Sequence, residues 1–162
     1  ETLLFLEMVG RLHEILADND ESRVNKQTAL LSVDVLARNF GSQHPKPFLA
    51  VVKAAAIVLR ESVDAIAPPR SAEDVETECE TLQLASSAAL CVGTLVTVLG
   101  AQTLSQLPLF APNLLRSFKH CLAFEAARVA EDETRPAEAD ACAMLAQSAA
   151  SSVFAMVNEV PS

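Results

Sequence analysis

The strongest constraint on how this chain can fold is that part of it occurs twice. The segment Ala29-Leu-Leu-Ser-Val-Asp-Val-Leu-Ala-Arg-Asn-Phe-Gly41 lies over Ala88-Ala-Leu-Cys-Val-Gly-Thr-Leu-Val-Thr-Val-Leu-Gly100, 59 residues further on. Ala, Leu, Val, Leu and Gly coincide at the first, third, fifth, eighth and last positions. Each block is followed by a polar or proline-containing connection and then by a Phe-bearing apolar segment, Phe48-Leu-Ala-Val-Val52 and Phe110-Ala-Pro-Asn-Leu-Leu115. A unit that recurs in this way cannot cover its own apolar face, so it is expected to stack on its neighbour.

The unit is helical. Apolar residues recur every three to four positions, as in Leu3, Leu6, Val9, Leu12, Ile15 and Leu16, and again in Ala29, Leu30, Val33, Leu36, Ala37 and Phe40. Hydrophobic residues make up 51% of the chain with no Trp or Tyr, and Ala and Leu, both strong helix formers, carry much of that share. Punctuation divides the pattern into about six helices. Asp18 to Ser22 is a polar turn, with Ser22 or Asp20 placed to cap the second helix. Gly41 and Gly100 stand where helix C-caps belong, and Pro47 suits the first turn of a third helix. Pro68-Pro69 opens a linker over 68–75, and Leu107-Pro108 starts a fifth helix. Ala130 to Pro136 reads as a charged loop before a sixth.

The expected fold is therefore all-α, an α-solenoid of antiparallel helix pairs spanning 2–40, 47–99 and 108–158, with residues 1–162 forming one segment of a longer protein. The longer protein is suggested by Glu1 in place of Met and by an apolar pattern already in progress at Leu3.

From Thr81 to Leu115 no charged residue appears. A membrane span is one reading of such a run. The frequency of Gln83, Ser86, Ser87, Thr94 and Thr97, and the absence of a basic flank, favour instead a helix buried between neighbours on two sides.

Catalysis, cofactor binding and metal binding are not expected. The three histidines, His13, His44 and His120, read as a surface residue, a loop residue and a helix residue. His120 adjoins Cys121, but neighbouring helix residues point about 100° apart, which does not make a catalytic pair. Cys79, Cys91, Cys121 and Cys142 lack the short paired spacing of a zinc site and read as buried free thiols. The acidic stretch Glu73 to Glu80 lacks the glycine and ligand pattern of a calcium loop and reads as a solvated helix start. Glu131-Asp132-Glu133 reads as a solvated turn. A net charge of −9 and the lack of Tyr and Trp argue against reading of bases. The candidate contact for a partner or a phosphate is Arg116, Lys119 and His120, spaced i, i+3, i+4 on one helix face, and Arg38 and Lys46 near the end of the second helix invite the same reading.

The stretch Thr28 to Gly41 and the stretch Leu95-Val-Thr-Val-Leu-Gly-Ala-Gln-Thr-Leu-Ser-Gln-Leu-Pro-Leu-Phe-Ala-Pro-Asn-Leu-Leu115 resemble the large HEAT-repeat scaffolds of the U3 small nucleolar ribonucleoprotein. The likeness covers roughly Lys26 to Leu59 and Leu82 to Leu122. It implies a nucleolar, non-catalytic scaffold of the small-subunit processome acting in pre-18S ribosomal RNA processing. Its implied partners are other protein subunits and the backbone of U3 or pre-ribosomal RNA, with no membrane and no small-molecule substrate. The 59-residue offset exceeds the period of roughly 40–47 usual for such units, and the excess falls in the proline linker and acidic stretch. An adaptor in nuclear transport or cytoskeletal binding would use the same architecture.

Overall fold

The computed structural model describes residues 2–66, 72–131 and 136–159. Six α-helices run in order: α1 (Thr2–Ala17), α2 (Arg23–Phe40), α3 (Pro45–Ala65), α4 (Ala72–Leu99), α5 (Leu107–Glu131) and α6 (Pro136–Glu159). A 3-10 segment, Gly100–Gln106, joins α4 to α5. Among the described residues there is no strand.

Each even-numbered helix packs against the odd-numbered helix before it, α1 with α2, α3 with α4 and α5 with α6. The pairs then stack. α1, α3 and α5 touch in sequence to form one layer, and α2, α4 and α6 form the other. This is an α-solenoid of helix pairs. Its core is set by that order. The central pair has a neighbour on both sides and carries most of the buried side chains, α4 most of all. α3 keeps one solvent face through Lys46, Lys53, Arg60 and Asp64, and the outer pairs are covered on one side only. The uncharged run of α4 is thus covered by α2, α3 and α6.

The repeat places its aromatic anchors alike. Phe48 and Phe110 are each the fourth residue of their helix, and both are fully buried. Each burial stabilises by about 1.5–3 kcal/mol.

Local chemistry sets the helix ends. Ser22 caps α2, its hydroxyl accepting from the Asn25 amide at 3.2 Å. Gly100 ends α4 with φ +57°, a left-handed conformation that glycine adopts without strain. Gly41 differs from expectation. Its φ is −62°, so no left-handed cap forms. Glycine fits there because a Cβ would run into the Val98 side chain of α4 and the Ala37 carbonyl.

Other boundaries shift for physical reasons. α3 begins at Pro45 rather than Pro47, since both prolines fit a first turn that needs no amide donors. α4 begins at Ala72, inside the linker expected over 68–75; Pro68 and Pro69 lie outside the described residues. Asp132 and Glu133 of the expected charged loop also lie outside them, as does the side chain of Glu131. Phe40, expected on the inner face of α2, is 42% exposed and rests on Phe5 at a ring separation of 5.3 Å. Leu3 and Leu6 are exposed for the same reason: α1 belongs to an outer pair.

A polar tie joins the first two pairs. Asp34, buried on α2, receives Arg38 Nε at 2.9 Å and the hydroxyl of Thr94 on α4. Arg38 Nη2 also donates to the Thr94 hydroxyl at 3.1 Å. Thr94→Val would leave a buried carboxylate short of a donor. A loss of about 1–3 kcal/mol is expected, read from urea unfolding, with Thr97→Val on the exposed side of α4 unchanged.

Candidate partner-docking surfaces

The surfaces that can meet a partner are set by the stack. At its first end, α1 and α2 leave a groove of about 810 Å³. Leu4, Met8 and Leu12 of α1 form one wall, and Leu31, Val35 and Leu36 of α2 the other. Leu4 is 62% exposed and Val35 57%, while Glu7 and Arg11 stand at the edge. The groove floor is made by the same 3.6-residue apolar spacing that elsewhere forms the core. At the far end, α5 carries Leu115, Leu122 and Val129 at heptad spacing, all largely exposed. Phe154 and Val157 are exposed on α6.

The candidate polar contact is dispersed by its neighbours. Arg116 bridges to Asp64 of α3 at 2.7 Å and donates to Asn113 Oδ1 at 3.0 Å. His120 turns toward Glu78 of α4, with Nε2 and Oε1 4.0 Å apart. Lys119 faces solvent. The three share a helix face as their spacing requires, but two of them join α5 to the central pair.

Glu78 is a correction to the solvated reading of the acidic stretch. It is buried, with His120 of α5 at 4.0 Å and Cys142 of α6 within reach of its charge, while Asp74 and Glu76 are exposed and the side chain of Glu73 lies outside the described residues. His13, expected at the surface, is half-buried and lines a pocket with Leu16, Ala50 and Lys53. His44 occupies the N-cap position of α3 without a side-chain cap bond, its ring 5.5 Å from that of Phe5.

Cys91, Cys121 and Cys142 are buried and Cys79 partly so, all as free thiols. Burial pushes the Cys91 thiol up, and the nearby Asp34 carboxylate adds to this. Cys121 donates to the Cys142 carbonyl at 3.2 Å. Its bond with the Cys142 side chain lowers Cys121 and raises Cys142, whose burial raises it further. No group of three His, Cys, Asp or Glu residues among those described is arranged to hold a metal ion.

Burial holds His120 below the ordinary imidazole range despite the carboxylate beside it. The folded state therefore prefers the neutral ring, and the unfolded chain takes the proton first as pH falls. Stability should drop as pH passes down through the ordinary histidine range, about 6.5, and level off below the folded value. Melting curves across that window should show a smaller drop for His120→Gln than for the wild type.

The fold and its open apolar ends define an α-solenoid segment. Known proteins agree. The chain is 34% identical over 101 residues to HEAT repeat-containing protein 1 of Homo sapiens, covering 62% of this chain and 4% of that protein. It is 32% identical over 116 residues to HEAT repeat-containing protein 1 of Danio rerio, covering 70% and 5%. The HEAT repeat-containing protein 1 homolog of Dictyostelium discoideum is 29% identical over 113 residues, covering 70% and 4%. No protein-family model matches the sequence. The chain thus spans a small fraction of the length of these relatives, and the likeness supports a HEAT-repeat protein.

Proposed function

We propose that this chain is a non-catalytic scaffold segment in ribosome biogenesis. It would support pre-18S ribosomal RNA processing within the small-subunit processome, in the nucleolus. The observation that carries this reading is the three-pair stack with apolar faces open at both ends, in a chain similar to HEAT repeat-containing proteins many times its length. Such a segment transmits position between partners rather than converting a substrate. The finer assignment rests on the resemblance of the Ala29 and Leu95 blocks to the U3 ribonucleoprotein scaffolds. Its contacts would be to other protein subunits, with Lys119, which faces solvent while Arg116 and His120 turn to Asp64 and Glu78, offered to RNA backbone or an acidic partner.

The test is the full-length protein carrying a tag. Nucleolar localisation and co-sedimentation with U3 RNA are expected. Capture of transport cargo or tubulin without U3 would overturn this assignment in favour of the adaptor reading, for which the net charge of −9 suits a basic cargo.

A further inference from the structure

The internal repeat says what the α1/α2 groove is for. In the 59-residue register, Thr28, Ser32, Val35 and Leu36 of α2 correspond to Ser87, Cys91, Thr94 and Leu95 of α4. The four α4 residues are all buried. Two of them meet α2 directly or lie close to it: Thr94 bonds Asp34 and Arg38, and Cys91 feels the Asp34 carboxylate. The four α2 residues line the groove, and each is exposed or only half-buried. The opposite sides match as well. Asp34 meets Thr94 of α4, Leu30 one turn before it is fully buried, and their counterparts Gly93 and Ala89 both meet Ser152 of α6. The side of α4 that receives the preceding pair is therefore the side of α2 that stands open.

We propose that the groove seats a further antiparallel helix pair of the same kind, stacked on α1 and α2 as these are stacked on α3 and α4. The contacting helix would run along Thr28, Leu31, Ser32 and Val35 and extend the α2–α4–α6 layer. Its contacting face is apolar, matching Leu4, Met8, Leu31 and Val35, with a polar residue able to meet Glu7 or Arg11 at the edge. The pair comes from the same polypeptide, on the amino-terminal side of α1. This rests on the reading of the chain as part of a longer solenoid; the relatives, of which it spans 4–5%, have the length to supply such a pair.

The experiment uses the full-length polypeptide with the photo-crosslinking residue p-benzoylphenylalanine in place of Val35. After irradiation, peptide mapping should find the adduct within the same chain, on a helical segment preceding α1. A crosslink to a second copy, to another protein, or no adduct at all overturns the proposal. In a second measurement, Leu31→Glu with Val35→Glu in the full-length polypeptide should raise amide exchange in that preceding segment by about tenfold, because the stacking that protects it is lost. Exchange unchanged there also overturns the proposal. Neither readout depends on U3 RNA. An internal crosslink without U3 co-sedimentation would sink the ribosomal assignment and leave this inference standing.

Discussion

A chain carrying Leu95→Asp is expected to lose its helical circular dichroism at room temperature. Leu95 is fully buried in the central helix, which is flanked by α2, α3 and α6. The substitution removes a packed side chain, which alone costs about 2–5 kcal/mol. It also places a carboxylate where water cannot follow, at a further cost of several kcal/mol even after the group takes up a proton. A domain of this size is held by about 5–15 kcal/mol in total, so the two losses together consume most of that margin. The contrast is Leu122→Asp, at a position 70% exposed on α5, where a change within about 0.5 kcal/mol is expected. A cooperative melt for Leu95→Asp close to that of the wild type would mean that α4 is not the buried centre of the stack.

Much of this architecture is legible in the sequence because helical patterning is local. The helices, the glycine at 100 and the phenylalanines at 48 and 110 depend on neighbours within a turn or two, and the structure places them as the apolar spacing implies, whereas Leu3, Leu6 and Phe40 of that spacing stay exposed on the outer pair. What escapes depends on residues far away in the chain. Gly41 has the sequence position of a left-handed cap, yet its role is set by Val98 on another helix. Glu78 sits in an acidic run that reads as solvated, and only helices far off in the chain, α5 with His120 and α6 with Cys142, bring it inside. Asp34 and Arg38 at i, i+4 signal a pair, but nothing near them announces Thr94.

The docking surfaces show the same limit. An apolar stripe in sequence states that something covers it, not whether the cover is present. Val33 and Val35 look alike in composition, yet Val33 is fully buried and Val35 is 57% exposed. The spacing of Arg116, Lys119 and His120 puts them on one face. Asp64 and Glu78, which engage two of them, come from α3 and α4 and leave no trace in that spacing.

The second large effect is expected at Gly93, and it is clearest beside Gly10. Replacing a mid-helix glycine with alanine normally stabilises by about 1 kcal/mol, because the backbone loses less freedom on folding. At Gly10 nothing lies within 4 Å of the added carbon, so Gly10→Ala should show that gain. At Gly93 the same carbon would come within 3.0 Å of the Ser152 Cα and press on the Ser152 hydroxyl. That hydroxyl donates to the Ala89 carbonyl, and Ser86 meets Ser148 one turn further along at 2.9 Å. Relief requires α4 and α6 to separate along a contact built from small residues, and overpacking of this kind costs about 1–3 kcal/mol. Gly93→Ala should therefore lower the urea midpoint with an unchanged slope, the opposite sign from Gly10→Ala, and Gly93→Leu should lower it much further. Ser152→Gly should restore part of the loss in the double variant, since it removes the hydroxyl and Cβ that crowd the site. Equal gains at Gly10 and Gly93 would show that α4 and α6 do not meet where their small residues align.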